Sequence, residues 1–279
     1  MLHEVASFLR WRVKQKRYAV KGLNTVRDLP RRLSESIAPT QPNAQLDALM
    51  IDAYGKLSRQ LTIPEIDLSP YAGKAQGAAF VDISPDHPEL VEGVVAEILG
   101  DAETAAMING YFDGRPWLWN VALNYSEPRD VLTDSQLWHF DYGDSRQLHF
   151  MVYFSDVGDT SGPFTFLKLA ESDRVKRHPF IIERMTDQDL AERFAIDVDE
   201  KRVRLTGKRG DVYFNDPGRL MHQGARCSTT RLVMFLSFTS RTPMTKGGRL
   251  VMKPEVRERI GAAYRTAHPD GPLSHLVFS

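Results

Sequence analysis

A histidine and an aspartate two residues apart, His139 and Asp141, sit among strand-forming aromatics in the stretch Gln136-Leu-Trp-His-Phe-Asp-Tyr142. In a β-strand the side-chain period is two, so this spacing predicts His139 and Asp141 on one face and Trp138, Phe140 and Tyr142 on the other. An imidazole and a carboxylate projecting together supply two ligands of a 2-His-1-carboxylate facial triad, a donor set that leaves coordination positions open and suits non-haem Fe(II). The third ligand must come from another strand. His222, in Asn215-Asp-Pro-Gly-Arg-Leu-Met-His-Gln-Gly224, is placed for that role, and Arg231 follows nine residues later. Arg231 opens the apolar run Leu232 to Phe238, where alternation puts Arg231, Val233, Phe235 and Ser237 on one face. A guanidinium buried on such a face requires an anion, and its planar fork matches a carboxylate bidentately.

The chain has eight histidines, and most histidines are hydrogen-bonded structural or surface residues; His3, His87, His178, His268 and His275 are read that way. Arg226 competes with Arg231 as the anion holder but stands four residues after His222, where a turn is expected. In Gln147 to Val157 the residues His149, Met151, Tyr153 and Ser155 share one face, and that mixed face is predicted to line a barrel interior.

The residues from Asn124 through the claw to the segment Ser161-Gly-Pro-Phe164, followed by GKRGDVYFNDPGRLMHQGARCSTTRLVMFLSF, resemble the phytanoyl-CoA dioxygenase-like family of Fe(II)/2-oxoglutarate oxygenases. The resemblance spans about residues 94–240. It implies that His139, Asp141 and His222 are the catalytic iron ligands and that Arg231 grips the distal carboxylate of 2-oxoglutarate. Gln136, Tyr153 and His149 are then the candidates for hydrogen bonds to that cosubstrate. Many members follow the Gly-Pro-Phe segment with Pro-Gly-Ser-His, whereas this chain reads Lys168-Leu-Ala-Glu-Ser-Asp173, so no role is carried over to that loop. The implied fold is mainly β with flanking helices, a double-stranded β-helix of the jelly-roll, cupin-like kind. The implied reaction is hydroxylation of a small organic substrate by O2, with release of succinate and CO2. A cupin-like isomerase or epimerase holding a divalent metal, and a non-catalytic barrel serving as a binding module, are the alternatives.

At 279 residues the chain is long enough for a single large core, and one domain is expected over residues 1–279: a helical region 1–115, a β-helix core 116–251, and a C-terminal helix and tail 252–279. Lysine plus arginine and aspartate plus glutamate both total 36, which gives no global attraction to nucleic acid. The one cysteine, Cys227, excludes an intrachain disulfide and a cysteine-based zinc site, as a reducing cytoplasm permits. No stretch approaches the roughly 20 apolar residues that span a bilayer, so a cytoplasmic protein is expected. Residues 1–32 carry nine Lys/Arg against Glu4 and Asp28. This start reads as a basic amphipathic helix that packs on the barrel, with contact to anionic lipid or a partner as one alternative and a cleaved organelle-targeting peptide as a third reading.

Around the claw the period predicts strands at 117–124, 136–142, 147–157, 163–169, 202–205, 210–215 and 231–241. Helices are predicted from the apolar stripe Leu46 to Leu61, at 90–99, 102–108 and 254–267, and at 186–194, where Thr186 and Asp189 have capping-box spacing.

Overall fold

A computed structural model describes residues 13, 43–75, 78–129, 132, 134–144, 146–177, 184–224, 226–241, 243 and 252–273. The basic start and the connector up to residue 42 lie outside the described residues, residue 13 apart. The strands are β1 (Tyr54–Lys56), β2 (Val81–Asp82), β3 (Pro116–Ser126), β4 (Leu148–Tyr153), β5 (Phe164–Leu167), β6 (Arg202–Leu205), β7 (Val212–Asn215), β8 (His222–Gln223) and β9 (Arg231–Ser240). The helices are α1 (Ala44–Ile51), α2 (Pro88–Gly100), α3 (Ala102–Tyr111), α4 (Leu169–Lys176), α5 (Asp187–Phe194), α6 (Val198–Lys201) and α7 (Pro254–Ala267).

Two antiparallel sheets result. The larger has the order β1-β7-β4-β9-β3-β2 and the smaller β6-β5-β8, to which a single bridge between His139 and His222 adds the claw segment as a fourth member. The order β3-β9-β4-β7 facing claw-β8-β5-β6 is that of a double-stranded β-helix: successive segments alternate between the sheets except at β5 and β6, which pair with each other in the small sheet. Two of the outer strands, β1 and β2, come from the region before residue 116.

Alternation along the strands sorts the core. One face of the large sheet, with Leu148, Phe150, Val152, Met234, Leu236 and Phe238, packs against apolar residues of α2, α3 and α7 such as Val95, Ile108 and Tyr264. The other face, with Met151, Tyr153, Tyr213 and Val233, meets Phe164, Phe166 and Leu205 of the small sheet. Behind the small sheet a third cluster joins Trp138 and Phe140 to Leu190 and Phe194 of α5 and Val198 of α6. Fully burying a side chain of this size stabilises by about 1.5–3 kcal/mol, so the helices are fixed to the outside and the strand interior is left to the mixed polar and apolar face.

Several elements lie where the period places them. β6 and α7 have the predicted bounds, and Thr186 with Asp189 forms a reciprocal capping box at the start of α5. Three expectations are corrected. The stripe from Leu46 to Leu61 is not one helix: α1 stops at Ile51, Ala53 takes a left-handed φ of 66°, and β1 pairs with β7. Leu57 and Leu61 are buried by bonding along that edge, their N–H groups donating to Val212 O and Gly210 O at 2.9 Å each. The claw is not a continuous strand either. A 3-10 turn at Asp134–Gln136 precedes it, and only Trp138 and His139 bridge to neighbours, Met185 and His222. The predicted strand at 163–169 ends at Leu167 because α4 begins at Leu169.

Candidate metal centre

His139 and His222 exchange both backbone bonds, His139 N–H to His222 O at 2.8 Å and His222 N–H to His139 O at 2.9 Å. A directly opposed antiparallel pair places both side chains on one face, and the two rings lie 4.2 Å apart between centroids. Each Nδ1 sits against a carbonyl two residues back, Leu137 O at 2.7 Å and Leu220 O at 3.0 Å. A carbonyl only accepts, so each Nδ1 carries the proton and each Nε2 keeps its lone pair. This is how outer partners orient metal-binding imidazoles.

Asp141 is placed by a turn rather than by a strand. Its N–H donates to Pro217 O at 3.1 Å, and its carbonyl accepts from Gln147 Nε2 at 3.0 Å. The turn holding Pro217 is anchored in turn: the Asp216 carboxylate accepts from Gly218 N–H at 2.8 Å and from the hydroxyl of Tyr111. The Arg219 guanidinium donates to Leu49 O at 2.7 Å and Met50 O at 2.9 Å, tying the turn to α1. Burial pushes the Tyr111 hydroxyl well above its usual range, so it remains a donor to Asp216. The result brings Asp141 Oδ1 to 3.6 Å from His139 Nε2. One ligand atom each of His139, Asp141 and His222 all fall within 4.8 Å of one another.

The electrostatics suit a cation. Burial, followed by the adjacent His222, pushes His139 down to about 3 against the pull of Asp141. Burial likewise lowers His222, and lowers the neighbouring His149 to about 4. The imidazoles are therefore neutral near pH 7. Burial alone pushes the Asp141 carboxyl up, but His222, His139, His149 and Arg184 together bring it below its usual range. Two neutral nitrogens and one anionic oxygen is a donor set that fits Fe(II) and leaves positions for other ligands.

Arg231 lies at the start of β9, 5% exposed, and burial draws its guanidinium below the usual range. One Nη donates to Gly162 O, but its buried Nε has no partner, and among the described residues no carboxylate pairs with it. Directly opposite on β3 stands Ser126, whose buried Oγ is also unpartnered. Ser126 is a residue that sequence reasoning missed; only the strand register reveals it. Tyr153, whose hydroxyl donates to Leu205 O, is close enough that the charge of Arg231 opposes the rise burial imposes on it. Gln136 is buried just ahead of the claw, and its backbone carbonyl accepts from Arg226 Nε at 2.8 Å. Arg226 also pairs with Asp187 at 3.1 Å, so the rival arginine is already committed.

No protein-family model matches the chain, and no curated protein matches it. Solved structures do. The non-heme alpha ketoglutarate dependent carbocyclase SnoK from nogalamycin biosynthesis is 14% identical over 73% of this chain and 86% of that chain, with a TM-score of 0.47. EctD from S. alaskensis with 2-oxoglutarate and 5-hydroxyectoine is 20% identical over 72% and 76%, with a TM-score of 0.47. HygX from Streptomyces hygroscopicus with nickel and 2-oxoglutarate bound is 16% identical over 72% and 88%, with a TM-score of 0.45. At these identities and TM-scores none of them assigns a ligand, reaction or substrate to this chain.

Proposed function

We propose that this protein is an Fe(II)- and 2-oxoglutarate-dependent oxygenase similar to the phytanoyl-CoA dioxygenase-like family, which hydroxylates a small organic substrate with O2 and releases succinate and CO2. The single observation that carries this reading is Arg231: a buried guanidinium with an unpartnered Nε and no acidic neighbour among the described residues, in the barrel that also holds the His139–Asp141–His222 cluster. A buried cation is costly unless paired, and a dicarboxylic cosubstrate supplies the missing anion. Ser126 Oγ, opposite Arg231, is a second hydrogen-bonding group for the same carboxylate.

His139, Asp141 and His222 hold the iron in this reading, with Asp141 offsetting part of its charge. Bound iron and 2-oxoglutarate supply the oxidising chemistry, in which oxidative decarboxylation is coupled to attack on an unactivated C–H bond. The chain contributes position and dryness. Phe164 stacks on the His222 ring at 5.1 Å, and Phe235 meets the His149 ring edge-on at 6.4 Å, so apolar rings flank the imidazoles and limit water there. Tyr153 fixes the wall beside Arg231, and Gln136 sits at the entry to the claw.

A metal-dependent isomerase or a non-catalytic barrel would explain the cluster but leave Arg231 without an anion. Among the described residues no helix is long and apolar enough to cross a membrane; the reading places the enzyme in the cytoplasm, as one domain acting on a small molecule and not on nucleic acid. Succinate release, measured while the iron-loaded enzyme is presented with a metabolite panel under air, tests the assignment. Succinate formed in proportion to oxidised product supports it; a product formed with no succinate assigns the barrel elsewhere.

A further inference from the structure

The large sheet carries a row of polar side chains across its interior face. Tyr54 pairs with Asn215, Asn215 with His149, His149 with Ser237, and Ser237 with Asn120, across β1, β7, β4, β9 and β3 in turn. Directly opposed residues share a face. That face is the interior one, because Tyr54, Tyr213, Met151 and Phe235, which have the same parity, line the barrel.

Two residues of the row keep buried polar atoms without a partner. Asn215 is 0% exposed, and both Nδ2 and Oδ1 are without a partner. His149 Nε2 is likewise buried and unpartnered. Leaving a buried donor or acceptor unmade costs about 1–3 kcal/mol each, so a sequence under no functional demand would place an apolar residue at 215. The row also lies on the metal side of the barrel: Asp141 and His222 are the two groups near enough to influence the ionisation of His149. Arg231 and Ser126 stand at the other end, six register pairs along β9 and β3 from Ser237–Asn120, with Met151, Tyr213 and Phe235 between.

We propose that the row centred on Asn215 and His149 is the substrate-recognition surface, and that it takes a neutral group which both donates and accepts hydrogen bonds, an amide in the first instance. This rests on the oxygenase reading for the identity of the neighbouring centre. Asn215 offers one acceptor and two donors in a plane, the complement of an amide. The row contains no lysine, arginine or acid, so it provides no charge to pair with a carboxylate or an ammonium, and a carboxylate there would stand beside Asp141. Sites built to hydrogen-bond a substrate group reject analogues that leave the site's own groups unpaired.

The test uses the full chain loaded with zinc, a redox-silent stand-in for iron, and with 2-oxoglutarate. Ligand-observed NMR compares matched probes: benzamide, benzoate and benzylammonium, and propionamide, propionate and propylammonium. The wild type is expected to bind each amide on the order of tenfold more tightly than its charged counterparts. Asn215→Leu should erase that preference while raising Tm, since it removes unpaired buried groups, and its affinity for 2-oxoglutarate should be retained. His149→Phe is the second variant, expected to weaken the preference. Equal binding of the three classes, preference for a charged probe, no binding of any probe, or a preference that survives Asn215→Leu overturns the proposal. A chain that takes up neither zinc nor 2-oxoglutarate overturns the oxygenase reading instead, and the amide preference of the metal-free chain still decides the subsite.

Discussion

Ser126 and Arg231 face each other across β3 and β9 as a register pair, and each keeps a buried polar atom without a partner. A hydroxyl and a guanidinium do not neutralise each other, so the pair is complete only with an anion between or beside them. This relationship separates a cosubstrate-binding barrel from one that merely holds a metal.

Arg231→Ala should therefore weaken 2-oxoglutarate binding by about 2–5 kcal/mol, the range for losing one partner of a buried charge pair, with little change in metal affinity. Arg231→Lys should recover only part of the loss, because an ammonium lacks the fork. Ser126→Ala should cost about 0.5–1.5 kcal/mol, the worth of one ordinary hydrogen bond. Calorimetric titration of 2-oxoglutarate into the zinc-loaded variants measures all three, and an unchanged affinity in Arg231→Ala would remove the residue from the site.

His139→Ala and His222→Ala should each abolish metal uptake and turnover with the far-ultraviolet circular dichroism preserved, since the rings contribute ligands while their backbones make the bridge. Metal content after dialysis is the readout. Full occupancy in either variant contradicts the triad.

The metal-free protein should lose stability on acidification. His139 and His149 titrate near 3 and 4 when folded and near 6.5 when unfolded, and His222 is shifted the same way. Below about pH 6.5 the unfolded chain binds protons the folded chain refuses, so each histidine lowers stability by about 1.4 kcal/mol per pH unit as pH falls through that window. Above it the contribution is fully present. Asp216, raised by burial, works in the opposite sense, losing stability as pH rises through its folded value. The histidines outnumber it, so Tm of the apoprotein should fall from pH 7 to pH 5, with about two protons taken up on unfolding at pH 5. A flat profile would mean the rings are protonated in place.

Asp141 also predicts the outcome of the reaction. With a carboxylate at that position, no place is left there for a halide, and the product of a reaction run in chloride buffer should contain hydroxyl and no chlorine. Asp141→Gly should mostly lose iron rather than become an efficient halogenase. Mass spectrometry of the product decides it; chlorine incorporated by the wild type would show that His139-x-Asp141 has been misread.

The chemistry of this chain was more legible than its geometry. Residue type and order pick out His139, Asp141, His222 and Arg231 as the candidates, because a metal and an anion each demand particular side chains whatever the backbone does. Strands β6 and β9 and helix α7 follow from local period, which depends only on neighbours in sequence. What the sequence does not reveal is set by distant partners. The claw holds His139 through a single bridge to His222 and places Asp141 by a bond to Pro217, so the expected strand is an irregular segment that reaches the same convergence. Leu57 and Leu61 keep a helix-like spacing yet are buried along β7, since edge pairing overrides propensity. Ser126 and Asn215 look like ordinary strand residues until the register sets them opposite Arg231 and His149.

The most direct test of the central claim needs no substrate. Under anaerobic conditions the protein is titrated with Fe(II) and then with 2-oxoglutarate, and the visible charge-transfer absorption of an iron-chelated keto acid is followed in the wild type, His222→Ala and Arg231→Ala. The oxygenase reading predicts a saturable band in the wild type, no band in His222→Ala, and in Arg231→Ala a band that saturates only at much higher 2-oxoglutarate. A wild type that binds Fe(II) yet develops no such band at any 2-oxoglutarate concentration would contradict it.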